Sequence, residues 1–316
     1  QLNYRVSLVE STRSADGTHR GRVIVDRAGG PALPVDIALE NTRGERTWTR
    51  WDAREGTVVI PYAGPAALRA AWVDPEGRVA LDGNRCLLAC LPIEIGDDGK
   101  PCLVREAKDG RRARRLKGDA ESNLLTQALA DDPHFGPYMG IPGKDNGFDI
   151  EGLVVDGNRL LIGLRGPVLR GWSALLEITL ETKDDHLRLV PLDESGSLIR
   201  KHFLQLEGLG IRDLHFSGDD LYILAGPTMV LDGNIRIFKW PNAKCLLAAN
   251  KEPVRFEANL SAMLSLPHGH GTNRAEALCA LPPELASNTP SWLVFYDAPG
   301  LDRKDGEYTV FGYVLH

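Results

Sequence analysis

Three separate segments of the second half share one order of apolar and polar positions. The first is D-I-E-G-L-V-V-D-G-N-R-L-L-I-G-L-R-G-P, from Asp149 to Pro167. The second is G-I-R-D-L-H-F-S-G-D-D-L-Y-I-L-A-G-P, from Gly210 to Pro227. The third is looser, with A-E-A-L-C-A-L from Ala275 to Leu281 and W-L-V-F-Y-D-A-P from Trp292 to Pro299. Each places a short apolar run before a polar turn, then a second apolar run that stops at proline. A further apolar stretch follows each: SALLEITLE, NIRIFKW and YTVFGYVLH. The alternation within IRIFKW and YTVFGYV has the period of two expected of strands with one buried face.

These units start about 60 residues apart, and a sheet of three or four strands cannot bury both its faces alone, so neighbouring units must stack. Radial stacking predicts a β-propeller in which each unit opens with the strand nearest the central axis. That placement carries a consequence for charge. Asp149, Glu151, Arg212, Asp213, Arg274 and Glu276 hold equivalent places at the strand starts, so they are expected to converge at the channel mouth. Crowded acids cost free energy unless paired or metal-bound, which makes arginines or a cation their expected partners.

The pattern changes before the first unit. DAESNLLTQALADDPHFG predicts a short helix inserted near 119–131, capped by Asp119 or Ser122 and ended by Asp-Pro. GPYMGIPGKDNG predicts a loop across the channel mouth. Residues 1–84 carry five evenly spaced strand patterns (YRVSLVEST, HRGRVIVDR, VDIALENT, GTVVIPY, LRAAWVDP) without the strand-opening motif. A small β-sandwich-like segment is predicted there, with a boundary at DGNRC and a propeller domain over 85–316. Three units do not close a ring, so either residues 1–84 supply degenerate blades or the chain is a fragment or fusion. The start at Gln1 rather than Met implies that something upstream was removed or not included.

Composition narrows the function. A net charge of -6 gives nucleic-acid binding no support, and the one basic run, DGRRARRLKGD, is flanked by acids and reads as a solvated loop or helix start. Five cysteines without a C-x-x-C argue against a disulfide framework or a structural zinc site and fit a reducing cytoplasm. No apolar run reaches the ~20 residues of a membrane helix. G-x-S-x-G, P-loop and G-x-G-x-x-G motifs are missing, which leaves hydrolase-fold, NTPase and Rossmann readings without footing.

Long strings carry a family resemblance. ADDPHFGPYMGIPGKDNGFDIEGL, LLIGLRGPVLRGW, GLGIRDL, LAGPTMVLDG and LPHGHGTNRAEAL make the chain from about Cys86 to His316 resemble the bacterial domain of unknown function 3616 family. The resemblance implies a propeller and brings no activity. The D-x-E-G-L strand opening is similar to that of esterase-like phytase propellers, which implies cation and phosphate-ester binding by analogy of fold. ERTWTRWDAREGTVVIPYAGPAALRAAWVDPEGRVALDGN resembles the β-rich end of gluzincin aminopeptidase-like proteins; the zinc-binding H-E-x-x-H of that family is absent here.

The candidate site follows from these placements. Asp149 and Glu151 are two apart and face the same way on an extended strand, with Asp145 and Asn146 able to fold over them. Asp145, Asp149 and Glu151 would suit Ca²⁺ or Mg²⁺, or the two strand acids could act as a general acid/base pair. Alternatively they pair with Arg212 and lock neighbouring blades. Arg165 and Arg170 suit either bidentate anion recognition or an inter-blade salt bridge. His268 and His270 with Glu276 form a weak metal candidate. His134, His202 and His215 read as structural or incidental. The expected function is binding of a small anionic or cation-bridged ligand through Asp149, Glu151, Arg165, Arg212, Asp213, Arg274 and Glu276. The alternatives are a metal-dependent hydrolase of phosphate or carboxylic esters and a protein-interaction scaffold.

Overall fold

A computed structural model describes residues 4–27, 34–73, 87–119, 122–229, 232–269, 272–281, 291–297, 299–305 and 309–315. The chain is all-β with little helix and divides into two compact units, Gln1–Asp82 and Gly83–His316.

Among its described residues the first unit has six strands: β1 (Tyr4–Arg13), β2 (His19–Arg27), β3 (Val35–Asn41), β4 (Arg46–Trp51), β5 (Thr57–Gly64) and β6 (Leu68–Val73). They form two three-stranded antiparallel sheets, ordered β1-β2-β5 and β4-β3-β6. Alternate residues of each sheet (Val23, Val25, Ile60 and Tyr62 from one; Val35, Ile37, Trp51 and Leu68 from the other) meet in one core. The Leu68 amide donates to Ser11 Oγ at 2.9 Å, tying the sheets at one edge. Strand β4 is absent from the five expected from sequence. RTWTRW is mostly exposed, and only Trp51 reaches the core, so its pattern lacks the apolar alternation that reveals a strand.

The second unit opens with irregular chain. β7 (Ala89–Cys90), β8 (Ile93–Ile95), β9 (Pro101–Leu103) and β10 (Arg114–Arg115) are short, pairing as β7-β10 and β8-β9. The basic run starts here as a solvated turn, with Arg111 on Asp109 and Arg112 on Glu106, but its second half enters β10 and buries Leu116. Helix α1 (Leu124–Leu129) is capped by Asn123 rather than by Asp119 or Ser122. Asn123 Oδ1 accepts from the Leu125 and Thr126 amides, and Thr126 Oγ1 accepts from the Asn123 amide, a reciprocal capping box. Asp119 instead accepts from the Ser122 amide. The expected ending at Asp-Pro is a turn in which Asp132 accepts from the His134 and Phe135 amides. Lys201 Nζ sits 2.5 Å from Asp132 and 3.3 Å from His134 Nδ1, clamping this turn to the strand Arg200–Gln205 of the same unit.

Three sheets follow. The strands of the first are β11 (Asp149–Asp156), β12 (Arg159–Gly166), β13 (Trp172–Lys183), β14 (His186–Val190) and β15 (Arg200–Gln205). The second takes β16 (Gly210–Ser217), β17 (Asp220–Gly226) and β18 (Ile235–Trp240). Helix α2 (Ala243–Ala249) leads to β19 (Val254–Glu257), and β20 (Ser261–Leu266) returns to the second sheet. The third holds β21 (Arg274–Ala280) and β22 (Trp292–Asp297), with β23 (Lys304–Asp305) and β24 (Thr309–Val310) as a separate small pair before β25 (Tyr313–Leu315). The orders are β11-β12-β13-β15-β19, with β14 also on β13, then β16-β17-β18-β20, then β21-β22-β25. Among the described residues these strand pairs are antiparallel except β15 with β19, where a strand from beyond α2 crosses back to edge the first sheet.

The first strands of the three sheets are neighbours: β11 lies against β16, and β16 against β21. Leu161, Leu175 and Leu204 of the first sheet meet Ile211, Ile223 and Trp240 of the second, whose Ile235 and Ile237 meet Ala275 and Val294 of the third. The closeness depends on two paired glycines. A Cβ on Gly163 would stand 2.4 Å from Ile211 Cγ2, and one on Gly152 2.9 Å from the same atom, so the pair forms a slot for Ile211. The opposite face of the first sheet is covered by α1 and the flanking loops, with Leu116, Leu125, Leu129 and Phe135 buried against it. Among the described residues these sheets do not close into a ring, and no helix is long and apolar enough to cross a membrane.

Candidate functional site

Each of the three neighbouring strands carries a bulge at the same place in its repeat. In β11 the pairing passes from Ile150 to Gly152, in β16 from Ile211 to Asp213, and in β21 from Ala275 to Ala277. The residues left over are Glu151, Arg212 and Glu276. A bulge releases one residue from the ladder and re-aims its side chain, and here three bulges aim three charged side chains at one point. The charges alternate along the row: acid, base, acid.

Arg212 is the centre. Its Nη1 donates to Glu151 Oε2 at 3.1 Å and to Glu276 Oε1 at 2.8 Å, so one guanidinium joins all three sheets. Its Nη2 donates to the Pro227 carbonyl at 2.7 Å. Arg165, also skipped where β12 pairs with β11, repeats this division of labour. Its Nη1 lies 3.1 Å from Glu151 Oε1 and 3.6 Å from Asp149 Oδ2, while Nη2 reaches the Met229 carbonyl at 2.6 Å. Both arginines and Asp149 are buried. Removing one member would strand charge in a poorly solvated place, which is costlier than losing a surface pair.

Ile150, Glu151, Arg212 and Glu276 line an open cleft of about 330 Å³. Glu276 is the most open of the acids, its side chain 37% exposed against 17% for Glu151. Burial pushes the Glu276 carboxyl above its ordinary range, opposed by Arg212. The same burial draws the Arg212 guanidinium below its usual value, opposed by Glu151.

The remaining expected site residues divide. Asp213 turns away from the cleft: its Oδ1 accepts from its neighbour Leu214 and its Oδ2 from the Leu278 amide at 2.8 Å, joining β16 to β21. Burial raises its pKa against those two amides. Arg274 stands 3.5 Å from Asp232. Asp145 is exposed on a 3₁₀ turn (Gly143–Asp145) and does not enter the ion pairs around Asp149. Asn146 next to it has φ 66° and anchors the loop, its Oδ1 accepting from the Val168 amide at 2.9 Å and from Thr228 Oγ1 at 3.1 Å. Arg170 is exposed. His268 is exposed and His270 lies outside the described residues. Among the described residues, no group of three or more His, Cys, Asp or Glu side chains is arranged to hold a metal ion.

Sequence reasoning missed a second charged network. Glu177 on β13 and His202 on β15 are fully enclosed, with His202 Nε2 3.0 Å from Glu177 Oε2. Arg159 and Arg200 approach the other oxygen of Glu177 at 3.3 and 3.7 Å. Strand β15, RKHFLQ, starts with three polar residues and gave no alternation to mark them as inward-facing. The loop Pro227–Met229 was also missed, because its role is carried by backbone carbonyls that no side-chain motif advertises.

Neither a curated protein nor a solved structure matches the chain. The resemblance of residues 1–84 to aminopeptidase-like proteins is not confirmed by the family match, which starts at residue 73. Residues 73–312 match the family described as Protein of unknown function (DUF3616), which is more than half of the chain, and the protein belongs to that family.

Proposed function

We propose that the cleft at Ile150, Glu151, Arg212 and Glu276 is a binding site for a small polar ligand presented through a cation, at the mouth of a propeller-like ring of sheets. The observation that supports it is the set of three equivalent bulges: three sheets each give up a ladder residue to place a charge at one opening. The side-by-side packing of β11, β16 and β21, the first strand of each sheet, supports the propeller part of the reading.

The side of the ligand facing the cleft is assigned by which groups remain open. The arginine arms already donate to carboxylates and to loop carbonyls. An anion arriving alone would compete with those bonds, whereas a cation would meet the exposed edge of Glu276 beside Glu151. The hydrolytic alternative takes Glu151 or Asp149 as its base, and Glu151 accepts from two guanidiniums while Asp149 is buried beside Arg165. Binding is therefore the better-supported reading.

Thermal unfolding with Ca²⁺ alone, Mg²⁺ alone, inorganic phosphate alone and Ca²⁺ with phosphate tests this. The expected result is a higher melting temperature with Ca²⁺ or Mg²⁺, increased further by phosphate and lost in Glu276→Gln. Stabilisation by phosphate without a cation would overturn the cation assignment, and no shift under any condition would remove the site.

A further inference from the structure

We infer that the segment Pro227–Met229 is a strap whose seating reports occupancy of the cleft, because the two guanidiniums that neutralise the cleft acids also hold the strap. This deepens the binding reading and rests on it.

All three residues of the strap are tied to the site from outside their own strand. The Pro227 carbonyl accepts from Arg212 Nη2, Thr228 Oγ1 donates to Asn146, and the Met229 carbonyl accepts from Arg165 Nη2. Asn146 is itself fixed to Val168 through both its amide and its oxygen. Met229 has φ 61°, a left-handed conformation that a non-glycine residue holds only when its surroundings impose it. The strap thus keeps a strained shape through bonds to two arginines.

Those arginines face the cleft with their other arms. Arg212 Nη1 is shared between Glu151 and Glu276, and Arg165 Nη1 holds Glu151. A cation that takes the Glu276 and Glu151 oxygens removes the anions that fix Nη1 of Arg212. The planar guanidinium moves as a unit, so a new position for Nη1 is also a new position for Nη2. The Pro227 carbonyl then loses its donor, and the strained strap loses one of its three ties. The two-state element is the strap, and both the ligand and the arginines bias it.

Hydrogen exchange of the Thr228 and Met229 amides, read by mass spectrometry on the whole chain, tests the coupling. Without ligand, Arg212→Lys and Arg165→Lys keep the charge but cannot bond two acceptors in one plane. Exchange at Thr228 and Met229 is expected to quicken about tenfold in each, with Leu221–Leu224 of β17 unchanged. Wild-type rates in both variants, or equal acceleration throughout β16 and β17, would overturn the proposal. With millimolar Ca²⁺, wild-type exchange at the strap should also quicken, and Glu276→Gln should abolish that response. A Ca²⁺-induced rise in melting temperature with no change at the strap would sink the coupling and leave the binding site standing. Quickened exchange in the lysine variants with no Ca²⁺ effect of any kind would instead sink the binding reading, and the reporting role with it.

Discussion

Two charged networks touch the first sheet, and they are built by opposite means. The outer one (Arg159, Glu177, Arg200, His202) sits in regular register, with Glu177 directly across from Arg200 and the side chains on the face that packs against the second sheet. Trp240 of the second sheet closes over it, its ring 6.2 Å from that of His202. The inner one (Asp149, Glu151, Arg165, Arg212, Glu276) sits at bulges and opens to a cleft. Regular alternation sends charge into an interface, where it fastens sheet to sheet. A bulge turns charge out of the ladder toward a place that a ligand can reach. Similar residues serve packing in one place and a candidate site in the other, and backbone register makes the difference.

The comparison breaks most visibly at Glu177. Glu177→Gln removes the buried carboxylate that His202 and Arg200 share, leaving Arg200 its ion pair with Asp193 and Arg159 its partial exposure, and is expected to cost about 3–5 kcal/mol in urea unfolding, with the Ca²⁺ response of the cleft unchanged. If the loss stays below about 1 kcal/mol, the outer network does not fasten the two sheets.

The slot between the networks comes next. Gly163→Ala places a methyl 2.4 Å from Ile211 Cγ2 and should cost about 1–3 kcal/mol. Combined with Ile211→Ala, the loss should fall short of the sum of the two single changes. Additive losses would mean that the glycine pair is not what admits Ile211.

Asp132 offers an ion pair that titrates. Burial raises its pKa, but the Lys201 ammonium and the His134 and Phe135 amides outweigh this and hold it below its ordinary value of 3.8. A depressed folded pKa gives stability that is present above 3.8 and lost as pH falls through the folded value. Asp132→Asn should therefore cost about 1–3 kcal/mol at neutral pH, and the gap from wild type should close on acidification below 3.8.

Glu276→Gln should have the smallest effect, less than about 1 kcal/mol at neutral pH, because the side chain is partly exposed. The sign is opposite to that of Asp132. The folded pKa of Glu276 is raised, so its ionised form is disfavoured at neutral pH and wild type gains on the variant as pH falls through the raised value toward 4.5. A gap that widens in the other direction would show Arg212 outweighing burial.

The legible part of the fold was the part whose strands bury one face cleanly. The hairpins β11-β12, β16-β17 and β21-β22 follow the three repeat segments, and β18 follows NIRIFKW. Strands without that contrast were silent. β20, SAMLSL, is exposed at five of six positions, and β19, VRFE, pairs in parallel with a strand some fifty residues earlier. The helix was anticipated, but its cap was displaced to Asn123, since Asp119, Ser122 and Asn123 are all competent caps and only the chain's path chooses among them.

At the candidate site, the spacing of D-I-E-G-L, G-I-R-D-L and R-A-E-A-L already put Glu151, Arg212 and Glu276 at matching positions. The sequence thus determined which residues correspond, because correspondence is a property of the repeat. It could not separate Arg212 from Asp213, adjacent in the chain, of which one reaches the cleft and the other bonds the Leu278 amide. That choice was made by register, since a bulge exists only relative to a partner strand. The use of both arginines to hold Pro227 and Met229 was likewise decided in three dimensions, where carbonyls more than ten residues away come within reach of a planar fork.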